Sequence, residues 1–541
     1  MFRYFKNKIK EKFSSNKEEN PEKILGSNFE KNIDILASRF CDVSDVYFRQ
    51  LKLNISDEKK LRICLVYIDN LIDKEQVNKS VIKPITSYRT YNQKQKNMKI
   101  SKEKIIDLIS EEILNVDDLK KIQKVDKICD KILEGGSILL VDDIPVAIGM
   151  ATQGWTERAA SQTNVENTVR GPQEAFTENS KTNIGLIRRR IKSSNLKIVT
   201  FTKGLYTKTK ISIVYLEGVA SSNIVKETKK RINDIQVGQM IGGCRQVSEL
   251  IEDNPLSLFD TIYETERPDV ITSGILEGRV GIVTDGCPTA LLVPKLFMEN
   301  LTSAQDYYYR FWVSLFIRVL RFIAYITSTL LPALYVAIVS YHHELIPMTL
   351  ASTIYQSRAG VPFPIFLELL LFLILFEMIK EAGATVPTTL STSITIVGTL
   401  ILGQAAITAG FLSADGVIIG SITGISIFLI PVVEFSMVLF FIRIIFIIVA
   451  AVGGIYGMTL TTIILLAHLA SLRSFGVPYL SPVAPLQKQD LKDFFMRVPY
   501  LLMSSRPESI ETKNSIQQNN KPFRRFFFKY QLKDSDKEGE E

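Results

Sequence analysis

The chain has 541 residues and carries 65 Lys and Arg against 57 Asp and Glu, a net charge of +8. That length allows more than one domain. The charge excess is modest, and no basic stripe with interleaved stacking aromatics runs through a folded segment, so a nucleic-acid partner is not expected.

Residues 1–40 read as a polar, flexible lead. The lead opens on MFRYFKNKIKEKF, which lacks both an apolar core and a small-residue cleavage site. No secretory signal is expected, and the soluble part should therefore stay in the cytoplasm. An α/β lobe is expected over 41–160, an inter-lobe segment over 161–200 and a second α/β lobe over 201–300. Within them 61–69 and 211–217 read as buried strands, whereas 117–134 and 224–236 show amphipathic helical periods. The five cysteines, Cys41, Cys64, Cys129, Cys244 and Cys287, form no C-x-x-C pair. They suit reduced core thiols rather than a disulfide frame or a zinc site.

The soluble part repeats itself. ILEGGSILLVDDIPVA, starting at Ile132, is echoed by ILEGRVGIVTDGCPTA, starting at Ile275, and the run from Leu65 is echoed by the one from Ile213 in the same order. Each copy should end in a strand–turn–strand with Asp-Asp or Asp-Gly at the turn. Two related lobes imply a crevice for a ligand or a hinge, with a rigid scaffold as the alternative. Between them, the turn Arg170-Gly171-Pro172 and the cluster Arg188, Arg189 and Arg190 offer either a strip for acidic groups of a neighbouring subunit or a solvated helix face. There is no Walker A loop, no Ser/His/Asp set and no metal-ligand spacing, so neither an enzyme nor a cofactor is expected.

From 301 to 475 apolar runs dominate and imply an all-α polytopic membrane domain. A first span is centred on 317–339, with Tyr307, Tyr308, Tyr309 and Trp312 at the interface and Arg310, Arg318 and Arg321 on the cytoplasmic side. The following loop, with His342, His343 and Arg358, reads as exposed. Further apolar stretches cover 364–381, 394–412, 417–432, 433–452 and 455–472, giving four to six helices, some of them re-entrant. Residues 476–541 then form a cytoplasmic tail whose Lys488, Lys492 and Arg497 follow the positive-inside rule. Basic and aromatic residues at 1–13 and 523–530 suit an anionic lipid surface.

Charge inside hydrocarbon costs about 2.5–3.5 kcal/mol per residue on insertion scales, so the polar residues of this block are the candidate pore or intramembrane sites. They are Glu368, Glu377, Glu381, Gln404, Glu434 and Arg443, with Asp415 beside them. At ~100° per residue Glu377 and Glu381 share one helix face and Glu368 points nearly the opposite way. Arg443 is expected to pair with Glu434 or Glu368 inside the bundle. Gly416, Gly420 and Gly424 form a small-xxx-small series that lets helices approach closely.

The motifs TERPDV, GRVGIVTDGCP, DYYYR, VPFP ahead of FEMIKEAGATVP, and HLASLRSFGVPYLSPVAP resemble those of the A subunit of GerA-type spore germinant receptors. The related spore protein SpoVAF shares them. The resemblance implies a subunit of the spore inner membrane, with its soluble module and tail on the core side. It also implies homo-oligomers that form a ligand-gated channel releasing monovalent cations, working with a transporter-like B subunit and a lipoprotein C subunit. A secondary transporter and a SpoVAF-like accessory germination channel are the alternatives. No second hydrophobic half mirrors the first, which argues against an inverted-repeat transporter.

Overall fold

A computed structural model describes residues 24–516 apart from 55–59, 89–101, 117, 155–160, 163–165, 167, 386–402, 488, 494–496, 500–502 and 504. The basic-aromatic ends at 1–13 and 523–530 and residues 394–402 of the expected stretch 394–412 lie outside the described residues. Helix α1 (Phe29–Arg39) lies within the polar lead; Asn28 caps it by accepting from the Lys31 amide, and Phe29, Asn32 and Leu36 are buried.

The first sheet contains β1 (Val46–Asn54), β2 (Lys60–Ile68), β3 (Leu119–Ile122), β4 (Ser137–Val141) and β5 (Ala147–Met150), with α2 (Val125–Leu133) on one face. Its order is β1-β2-β4-β5-β3 and every pairing is antiparallel. The helical period expected over 117–134 therefore divides: its first part pairs with β5 as an edge strand, and only Val125–Leu133 is helical. Pairing across the sheet overrides the local period there.

Helix α3 (Ser180–Arg190) leads into the second sheet, made of β6 (Leu196–Lys203), β7 (Thr209–Leu216), β8 (Tyr263–Thr265), β9 (Val280–Thr284) and β10 (Ala290–Val293). Its order, β6-β7-β9-β10-β8, repeats that of the first strand for strand. Register repeats as well. Ser137 faces Met150 across the first hairpin and Val280 faces Val293 across the second; Leu65 faces Leu139 and Ile213 faces Ile282. The hairpin turns match down to backbone sign, with Asp143 at φ 64 and Gly286 at φ 80 in the same position. Alternate residues of the central strands feed separate cores, Leu65 and Leu139 into one and Val66 and Leu140 into another, so both faces of the first sheet are covered.

Helices α4 (Ser222–Asp234), α5 (Gly243–Ile251) and α6 (Pro268–Leu276) flank the second sheet. The lobes are pinned together at α3. Arg188, 1% exposed, donates from Nε and Nη2 to Asp45 at 2.6 and 2.8 Å, and Lys181 reaches Asp69 at 3.0 Å. The Ser44 amide donates to the Ile198 carbonyl beside them. Arg189 and Arg190 both pair with Glu174. The three-arginine cluster is thus consumed within the chain rather than offered to a neighbouring subunit.

Beyond the sheets come α7 (Phe311–Tyr341), α8 (Met348–Arg358), α9 (Ile365–Thr385), α10 (Ala414–Phe428) and α11 (Val433–Ser471). Among the described residues, α7 and α11 are long and apolar enough to cross a membrane. They pack on each other through Ala333, Val336, Ala337, Leu439, Phe446 and Ile447, all buried. Helix α11 is two rods: Gly454 sits at φ 55 and ψ −142, a conformation that L side chains avoid, at the break expected between 452 and 455. Helix α8 occupies part of the stretch expected to be exposed loop, because Ala351 and Ile354 bury there.

Candidate functional site

Helix α9 is 21 residues long and almost wholly apolar, yet carries Glu368, Glu377, Lys380 and Glu381. Its packing on α10 is set by the glycine series. A Cβ at Gly416 would come within 2.4 Å of the Glu368 carboxylate, one at Gly420 within 2.2 Å of the Phe372 ring, and one at Gly424 within 2.6 Å of the Phe376 ring. The three glycines therefore let α9 side chains lie directly on the α10 backbone.

That closeness seals Glu368, which is 1% exposed. Its carboxylate accepts from Arg358 Nη1 at 2.8 Å, from the Ser413 amide at 2.6 Å and from the Ser413 hydroxyl at 2.5 Å. Ser413 caps α10, its hydroxyl accepting from the Gly416 amide. Ser357 on α8 donates to Asp415 in the same turn. One carboxylate thus joins α8, α9 and α10 through three charge-assisted bonds.

The expected pairing of Arg443 fails. Arg443, 1% exposed, donates from Nε to the Ser328 carbonyl of α7 at 2.6 Å and bonds neither Glu434 nor Glu368. Glu368 is claimed by Arg358, and Glu434 lies in the first turn of α11, where it is exposed and 4.0 Å from Arg245 of α5. Glu377, the carboxylate whose field reaches Arg443, pairs with Lys380 one turn along and is half-buried. Glu381 and Gln404 are exposed. Of the six candidates, Glu377 is the one whose charge acts on Arg443.

A second network sits at the foot of α7. Asp306 is fully buried and accepts from Arg318 at 3.3 Å and Arg321 at 2.7 Å. Asp493 of the tail accepts from Arg318 at 2.8 Å and from the Tyr307 hydroxyl at 2.6 Å. Arg497 donates to the carbonyls of Asp306 and Tyr309, and the Tyr307 ring lies under the guanidinium groups of both Arg318 and Arg497. Arg318, Arg321 and Arg497 are therefore buried ties between helix, linker and tail rather than free interfacial charges. Tyr308 likewise turns to the soluble part, donating to Asp269 at 2.9 Å and covering Gly171. Arg358, Ser413, Asp306 and Asp493 complete these networks without a sequence signal of their own; the i, i+3 spacing of Arg318 and Arg321 is the available signal for a shared buried anion.

A duplicated antiparallel α/β body, clamped at its linker to helices of membrane-crossing length that carry buried charge, is the class these features define. The chain belongs to the family described as Bacillus/Clostridium GerA spore germination protein, which matches residues 34–509. Spore germination protein KA of Bacillus subtilis (strain 168) is 36% identical over 495 residues, covering 92% of this chain and 89% of that protein. Spore germination protein GerLA of Bacillus cereus is 33% identical over 454 residues, 84% of this chain and 90% of that protein. The uncharacterized membrane protein YfkQ of Bacillus subtilis (strain 168) is 32% identical, with 92% and 94% covered. Among solved structures, the N-terminal domain of the A subunit of the Bacillus megaterium spore germinant receptor GerK3 is 28% identical and covers 51% of this chain and 99% of that one, with a TM-score of 0.39.

Proposed function

We propose that this spore germination protein is the A subunit of a nutrient-germinant receptor, and that several copies line a ligand-gated channel releasing monovalent cations from the spore core. The reading places the helices in the spore inner membrane and the sheets and tail on the core side, alongside the transporter-like B and lipoprotein C subunits. Helix α9 carries it. One face is locked to α10 through the glycines and Glu368, which leaves Glu377 and Glu381 on the remaining face of an apolar helix. Acidic groups contributed by each copy favour cations over anions. In this reading Glu368 is structural, Glu377 and Glu381 face the ions, and Arg443 holds α11 against α7. Glu434 meets the soluble lobe at Arg245, where motion of the body can reach the helices.

The purified chain in liposomes tests this. Cation flux that loses its preference over anions in Glu377→Gln and Glu381→Gln, with Glu368→Gln lowering the thermal stability of the helical region instead, is the expected result. A monomeric chain, or flux that requires a cotransported solute, overturns the channel.

A further inference from the structure

The second lobe holds a side-chain cluster unrelated to the helices. Cys244 lies in the first turn of α5, Glu264 on the edge strand β8, and Cys287 directly after the β9–β10 turn. Their two Sγ atoms and one carboxylate oxygen lie within 4.8 Å of one another. Cys244 is 1% exposed and Cys287 7%. The group is already wired: the Cys244 amide donates to Cys287 Sγ at 3.2 Å, the Cys244 thiol donates to the Thr289 carbonyl at 3.2 Å, and the Thr289 hydroxyl donates to Glu264 at 2.5 Å. Thr289 Oγ1 also lies 3.1 Å from Cys287 Sγ.

Core thiols pack as small apolar groups and need no carboxylate among them. Here a carboxylate is drawn in beside two sulfurs and oriented by a hydroxyl, at a point where helix, edge strand and hairpin turn converge. We propose that Cys244, Cys287 and Glu264 form a binding site for a thiophilic divalent cation, Zn2+ by its chemistry, closed by a water in the fourth position. Two thiolates and a carboxylate are donors that zinc takes in tetrahedral geometry, with S–Zn bonds of about 2.3 Å. Sulfurs bound that way stand roughly 3.8 Å apart, so the two sulfurs close by no more than about 1 Å. On binding, both S–H bonds give up their protons to solvent and two Zn–S bonds replace them; Glu264 binds as the carboxylate, and nothing is oxidised or reduced. Thiolate donors select against Mg2+ and Ca2+. Thr289 takes the supporting role of an outer partner that orients the carboxylate. The ion would join the start of α5 to the β8 edge and the β9–β10 turn.

The test uses the full chain in detergent, reduced and stripped with a chelator, then titrated with Zn2+ and with Co2+ as a spectroscopic probe. The expected result is one ion per chain, with visible tetrahedral Co2+ bands and sulfur-to-metal charge transfer, unaffected by excess Mg2+, and a thermal midpoint that rises with Zn2+. Cys287→Ser abolishes the charge-transfer bands. Because a change at buried Cys244 can unfold the lobe, the near-isosteric Glu264→Gln decides the matter: it keeps the fold and weakens Zn2+ binding by ~10-fold or more. Equal metal content in wild type and Cys287→Ser overturns the site. So does a reduced, folded chain that takes up no Zn2+.

Discussion

Two acids in the soluble body have opposite fates. Asp45 is buried against Arg188, and truncating Arg188→Ala leaves that carboxylate uncompensated, which costs about 3–5 kcal/mol when a buried pair loses one member. The measurement is denaturant unfolding of wild type, Arg188→Ala, Asp45→Asn and the double variant; a double variant no better than the sum of the singles removes the pairing argument. Glu166 instead has its carboxyl pushed up to about 7 by burial, against which the Thr265 hydroxyl bond works in the other direction. An unfolded glutamate titrates near 4.3, so between about 4.3 and 7 the folded chain holds a proton that the unfolded chain has released. Stability therefore falls as pH rises through that window and levels off above it. Glu166→Gln should flatten thermal midpoints between pH 5 and 7 relative to wild type, whereas an unchanged slope assigns the dependence to other groups. Neither fate was legible beforehand: Asp45 and Arg188 are far apart in the chain, and no periodicity announces a pair that only the docking of two lobes creates.

At the scale of elements, much was legible because the signals are local. Short buried β-rich runs located β2 and β7, the repeated hairpin motif fixed matching turns, and Gly416, Gly420 and Gly424 announced close helix packing. What escaped was the edge strand β3, where cross-strand pairing outvoted a helical period, and helix α8, which brings Arg358 to Glu368. The glycine argument has a sharp consequence. A methyl at Gly420 meets the Phe372 ring, whereas one at Gly453 has no neighbour within 4 Å. Gly420→Ala should destabilise the helical region by about 1–3 kcal/mol, as overpacking does, while Gly453→Ala is neutral or slightly stabilising. Thermal unfolding in detergent reads both, and equal shifts would mean that α9 and α10 separate freely.

For the whole molecule, the proposed channel requires a route by which motion of the soluble body reaches the helices. The foot of α7 is the one described place where linker, membrane-length helix and tail share buried charge: Asp306 holds Arg318 and Arg321, and Asp493 holds Arg318 from the tail side. Removing Asp306 would strand two buried guanidinium groups and threaten the fold itself. Asp493 offers a gentler cut, since its side chain is partly exposed and Arg318 keeps Asp306 when it is lost. Asp493→Asn preserves shape while weakening the tail's hold. The expected outcome is faster limited proteolysis of the tail with unchanged cleavage of the two sheets, and in liposomes an altered threshold for cation flux with unaltered ion preference. Changed preference would move the ion path to the foot of α7, and unchanged proteolysis would show that Arg497, bonded to the Asp306 and Tyr309 carbonyls, is enough to keep the tail in place.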